Sequence, residues 1–82
     1  MSMIVGWCKL KTETEKVMKI AYSLEDNQIC DGEIIFNKES YEMKINDLSK
    51  GASEILTKIF MGSLRHRIHK GMEQGKKYMI AS

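Results

Sequence analysis

Eighty-two residues leave room for one domain, expected over residues 1–82, and a chain of this length buries only about 60% of its unfolded surface, so its core is small. Hydrophobic residues at 43% and charged residues at 29% sit at soluble-globular averages, which argues against a disordered chain. No apolar run approaches the roughly 18 residues of a membrane span. The net charge of +2 conceals a polarised chain: residues 1–47 carry six Lys/Arg against nine Asp/Glu, and residues 48–82 carry seven against two.

The first predicted element is a strand from Met3 to Leu10, with Val5 and Trp7 on one parity and Ile4, Cys8 and Leu10 on the other, a pattern suited to cover on both faces. Lys11 to Glu15 reads as a polar turn. Lys16 to Leu24 alternates strictly. Met18, Ile20, Tyr22 and Leu24 share one face, and Val17, Lys19, Ala21 and Ser23 share the other. Turn signals follow at Asp26-Asn27 and Asp31-Gly32; the latter suits a two-residue hairpin that pairs Cys30 with Glu33. Glu33 to Asn37 and Tyr41 to Ile45 then fit a hairpin over Lys38-Glu39, setting Phe36 opposite Tyr41 and Ile34 opposite Met43.

After Asn46 the period lengthens. Asp47 or Ser49 is placed to cap a helix, and Leu48, Ala52, Ile55, Leu56 and Ile59 form a stripe expected to face the sheet. Met61, Leu64, Ile68 and Met72 form a second stripe rotated well over 90° from it. Such a helix either bends near Gly62 or offers the second stripe to another chain. Gly71 and Gly75 bracket its end, and Lys77 to Ala81 fits a short edge strand. The expected fold class is α+β: an antiparallel sheet of about four strands, then one long helix on one face, with a possible short C-terminal strand.

Catalytic motifs are missing, and the six glycines stand singly rather than in a phosphate-cradling group. The expectation is a protein that is not an enzyme and needs no cofactor. A nucleophilic pair of Cys8 or Cys30 with His66 or His69 is conceivable, but Cys8 has apolar neighbours, and a small buried thiol is the commoner role. His66, His69 and Glu73 lie at i, i+3 and i+7, on one side of a continuous helix, and are a possible zinc or iron set. The cations Arg65, Arg67 and Lys70 beside them oppose that reading, and no metal is expected.

Binding explains more of the chain. Arg65, Arg67, Lys70, Lys76 and Lys77 crowd a segment with Glu73 as its sole acid, and they are the candidate contact with an anionic protein or nucleic-acid partner. The bland counterpart is a solvated helix end whose cations complement the dipole. Val5, Trp7 and Ile35 on the outer sheet parity, with Leu64 and Ile68 from the second helix stripe, form the candidate interface of a homodimer, Trp7 as anchor. The resulting expectation is a small binding protein acting as a homodimer through that basic segment, with DNA or RNA binding by the same segment as the alternative. Two cysteines make no disulfide framework, and residues 1–11 hold no signal-type apolar stretch before Lys9 and Lys11, so the expected location is the cytoplasm and no membrane partner is expected.

Overall fold

The computed structural model describes residues 4–25 and 27–81; Met3 and Asp26, drawn above into the first strand and the first turn, lie outside the described residues. Strands β1 (Val5–Glu13), β2 (Val17–Leu24), β3 (Gly32–Asn37) and β4 (Met43–Asp47) precede helix α1 (Glu54–Lys70), and β5 (Lys77–Ala81) closes the chain. The α+β expectation holds, with the C-terminal strand realised. The sheet is antiparallel in the order β4-β3-β2-β1-β5, so β5 returns beside β1 after the helix has crossed the sheet. No helix is long and apolar enough to cross a membrane among the described residues.

Strict alternation divides the sheet. Cys8, Leu10, Met18, Ile20, Tyr22, Leu24, Ile34 and Phe36 face the helix and build the core with Phe60 and Leu64. The polar segment after Leu10 extends β1 rather than turning, because a bulge between Leu10 and Thr12 resets its register against Lys19. The hairpin expected at Asp31-Gly32 is replaced by a longer β2–β3 connection. Tyr22 pairs with Gly32, and Cys30 takes a positive φ of 56° outside any strand. Phe36 lies opposite Met43 and Ile34 opposite Ile45, two residues beyond the expected partners. Asn37 explains the shift: its carboxamide accepts from the backbone N–H groups of Glu39 and Ser40 and widens the turn. Tyr41 then sits in that turn, edge-on to Phe36.

The helix is rotated by well over 90° from the expected orientation. Thr57, Phe60 and Leu64 are its buried residues, with Leu56, Met61 and Ile68 packed at their margin, while Ile55 is 74% and Ile59 49% exposed. Two features of the sheet select this face. Gly6 leaves a notch filled by the Phe60 ring; an added Cβ there would lie 2.3 Å from Phe60 Cε1. Tyr22, fully buried, shares a hydrogen bond with the Thr57 hydroxyl at 3.0 Å and accepts the backbone N–H of Ser49 at 3.0 Å, so a polar helix position is satisfied in the core. Only one stripe is buried, and it is the one built on Leu64 and Ile68; the helix runs through Gly62 without a break. Ser53 is the N-cap, accepting from the Leu56 N–H. Ser49 is committed elsewhere, its hydroxyl donating to Asp31. That bond, the Lys50 backbone N–H and the Asn27 amide hold the Asp31 carboxyl below its ordinary range.

Candidate anion-binding surfaces

The basic segment spans the end of the helix and the start of β5, and the two periods send its side chains in different directions. Gly71, at φ 97°, ends the helix with its N–H bonded to the Ile68 carbonyl. Arg65 points to the β3–β4 turn, where its guanidinium donates to the Tyr41 carbonyl. Arg67 points to β5 and lies over the Tyr78 ring, 4.5 Å from its centroid, and its Nε is buried without a hydrogen-bond partner. Lys76 reaches the same ring at 5.4 Å. Lys77, the next residue of the chain, turns to the far side of the sheet, with its ammonium 5.5 Å from the Trp7 ring and donating to the Gln28 carbonyl at 3.0 Å. Lys70, Arg67, His66 and Ser63 line an open cleft against Met79, Ile80 and Ala81. Three of the five candidate cations, Arg67, Lys70 and Lys76, therefore gather between α1 and β5, whereas Arg65 and Lys77 leave the group.

None of these five joins an ion pair among the described residues; the pairs formed are Lys11 with Glu33, Lys38 with Glu13 and Lys58 with Glu54. Arg67, Lys76 and Lys77 rest against aromatic rings, and Arg65 and Lys77 donate to carbonyl oxygens; a cation over a ring contributes about 0.5–1 kcal/mol at an exposed site.

The candidate interface divides as well. Val5, Trp7 and Ile35 are half-buried on the sheet face away from the helix. Leu64 is fully buried within the chain and so is not part of an outer surface, while Ile68 is half-buried, packed against the same core at the margin of the helix. Trp7 is held at one edge by its indole N–H, which donates to the Glu25 carbonyl at 3.2 Å.

The helix ends before Glu73, whose backbone N–H donates to the Tyr78 hydroxyl. His66 borders the β5 cleft, while His69 borders a separate hollow of about 410 Å³ beside Glu13, Lys38 and Tyr41. No group of three or more His, Cys, Asp or Glu is placed to hold a metal among the described residues. Cys8 lies under the helix, and its thiol is pushed up to about 12, chiefly by burial, with Cys30 adding to the rise and Arg67 opposing it. Cys30 is buried on the other side and accepts from the Ser23 hydroxyl at 3.8 Å.

A second basic surface escaped the charge tally. Lys9 pairs with Lys77 across β1 and β5, and Lys19 and Lys44 flank Ile35 across β2, β3 and β4, so these four lysines share the uncovered sheet face with Trp7. The N-terminal half is acidic in sum, yet Glu15, Glu25, Asp31, Glu39 and Glu42 all lie in connections. Glu33 on that face is neutralised locally: the Lys11 ammonium and the Asn46 amide hold its carboxyl below the usual range. The parity of Lys9 with Trp7, and of Lys19 with Ala21, was the available signal.

The chain matches no protein-family model, no curated protein and no solved structure.

Proposed function

We propose that this protein acts by binding, not catalysis, and holds an anionic partner at the cleft between α1 and β5, with Arg67 and Lys70 on its wall and Lys76 near them at the Tyr78 ring. The observation that carries this reading is Arg67: its guanidinium is fixed on the Tyr78 ring and, among the described residues, joins no ion pair, while its buried Nε has no hydrogen-bond partner. Guanidinium offers a planar fork of donors matched to phosphate or carboxylate, and stacking on a ring preorganises it. Lys70 on the cleft wall and Lys76 at the Tyr78 ring add point charges. A reducing, cytoplasmic setting suits the two buried free thiols.

The test is binding of long-chain inorganic polyphosphate at low and physiological salt. Wild type binds at low salt and weakens as salt rises, and Arg67→Glu with Lys70→Glu weakens binding at least tenfold with an unchanged far-UV spectrum. Polyphosphate binding that is absent at low salt, or indifferent to the double substitution, contradicts the reading.

A further inference from the structure

We propose that the uncovered face of the sheet is a binding surface for single-stranded nucleic acid, with Lys77, Lys9 and Lys19 following the phosphates, Lys44 at the far rim, and Trp7 stacking on a base. This goes beyond the cleft reading and uses different side chains, so either can fail alone.

Charge and geometry both enter. Lys77 and Lys9 pair across β5 and β1, and Lys19 lies two residues along β2 from Ala21, the partner of Lys9, so the three cross the sheet on a diagonal; neighbouring strands are about 4.8 Å apart, and the sheet from β5 to β4 is about 19 Å wide. That is room for a few nucleotides, the lower end of the site sizes seen on small β-domains. Among the described residues Lys9, Lys19, Lys44 and Lys77 make no ion pair; Glu33, on the same face, is engaged by Lys11 and Asn46, and its cross-strand partner Asp47 stands at the β4 rim. Glu42 and Asp47 flank Lys44 in the chain at the β4 rim, which places the strongest positive potential over β5, β1 and β2, around Trp7.

Trp7 separates single strands from other polyanions. Its indole edge is tied to the Glu25 carbonyl, its cross-strand neighbours Ser23 and Met79 are a small residue and a flexible one, and Lys77 stands 5.5 Å from the ring. An aromatic platform bordered by lysines meets unstacked bases and their phosphates together, whereas a duplex hides its base faces and would use the charges alone. Pairing two copies through this face would set rows of unpaired lysines against each other, and like charges brought together oppose association.

The decisive experiment titrates the chain with a twelve-residue oligothymidylate, read by quenching of Trp7, the sole tryptophan, and by anisotropy of a labelled copy. Saturable quenching is expected, and with three or four phosphate contacts, at a slope of about −0.7 per contact, affinity falls about 20- to 50-fold between 50 and 200 mM salt. Lys9→Glu with Lys19→Glu lowers affinity at least tenfold and flattens the slope, while Arg67→Glu with Lys70→Glu leaves both unchanged. Trp7→Ala, followed by anisotropy with circular dichroism as the folding control, costs about tenfold. No binding at 50 mM salt overturns the proposal. So does loss through Arg67 and Lys70 alone, and so does equal competition by polyglutamate or by a duplex of the same charge, which would indicate an acidic-protein or general polyanion surface.

Discussion

Tyr22→Phe removes one oxygen atom from the middle of the fold and is expected to be more damaging than so conservative an exchange ordinarily is. The Tyr22 hydroxyl accepts the Ser49 N–H and bonds the Thr57 hydroxyl, and Tyr22, Ser49 and Thr57 are 0%, 2% and 0% exposed. Without it the Ser49 N–H keeps no partner, at about 1–3 kcal/mol, and the Thr57 hydroxyl loses a bond worth about 1 kcal/mol. The sum is about 2–4 kcal/mol. For a domain of this size each kcal/mol lowers the melting temperature by about 4–8 °C, so a fall of about 10–30 °C is expected. Thr57→Val keeps the shape and leaves Tyr22 bonded to Ser49, so it costs about 1 kcal/mol, and the double variant is less destabilised than the sum because the two side chains share one bond. Calorimetric melts of the four proteins measure the cycle. A Tyr22→Phe variant melting within about 2 °C of wild type, or a Thr57→Val variant that is the worse of the two, would refute the network's role in seating the helix.

Truncating Leu64 to Ala costs about 2–5 kcal/mol, whereas Ile55→Ala and Ile59→Ala stay near 0.5 kcal/mol on the exposed face; denaturant melts with the order reversed would return the helix to the other orientation. Gly6→Ala forces the new Cβ against the Phe60 ring and costs about 1–3 kcal/mol, while Gly62→Ala, in open space inside the helix, adds up to about 1 kcal/mol in the same melts. Cys8 resists maleimide in the native protein at pH 8. Because burial raises its folded pKa to about 12 from the ordinary 9.0, stability present below pH 9 declines as pH climbs from 9 toward 12, where only the unfolded chain readily releases the proton; alkaline denaturation of wild type against Cys8→Ala reads the difference.

The strands were legible where period decided the matter. Val17–Leu24 buries Met18, Ile20, Tyr22 and Leu24 as their alternation requires, and Lys77–Ala81 follows the glycines that close the helix. The helix rotation was not legible. Apolar spacing treats Ile55 and Ile59 as better core residues than Thr57, and the preference reverses only when a tyrosine hydroxyl and a glycine notch on distant strands meet the helix. Ser49 and Ser53 are equal as capping residues by type, and only the contact of Ser49 with Asp31 and Tyr22 separates them. The basic segment reads as one patch along the sequence. It is two surfaces in space because a helix end and a strand start distribute neighbours differently: Lys76 shares the Tyr78 ring with Arg67, while Lys77 stands over Trp7. The same period rule, carried through β1 and β2, exposes Lys9 and Lys19 beside Trp7, a grouping that the acidic total of the first half hides.

If the uncompensated cations around β5 receive an anionic partner, amide chemical-shift mapping registers it residue by residue. Uniformly labelled protein is titrated at low salt, first with polyphosphate and then with the oligothymidylate. Shifts are expected at Arg67, Lys70 and Lys76 with the first ligand and at Trp7, Lys9, Lys19 and Lys77 with the second, reversed by added salt. Spectra unchanged by both ligands, or shifts confined to the exposed Leu48, Ile55 and Ile59 side of the molecule, would contradict it.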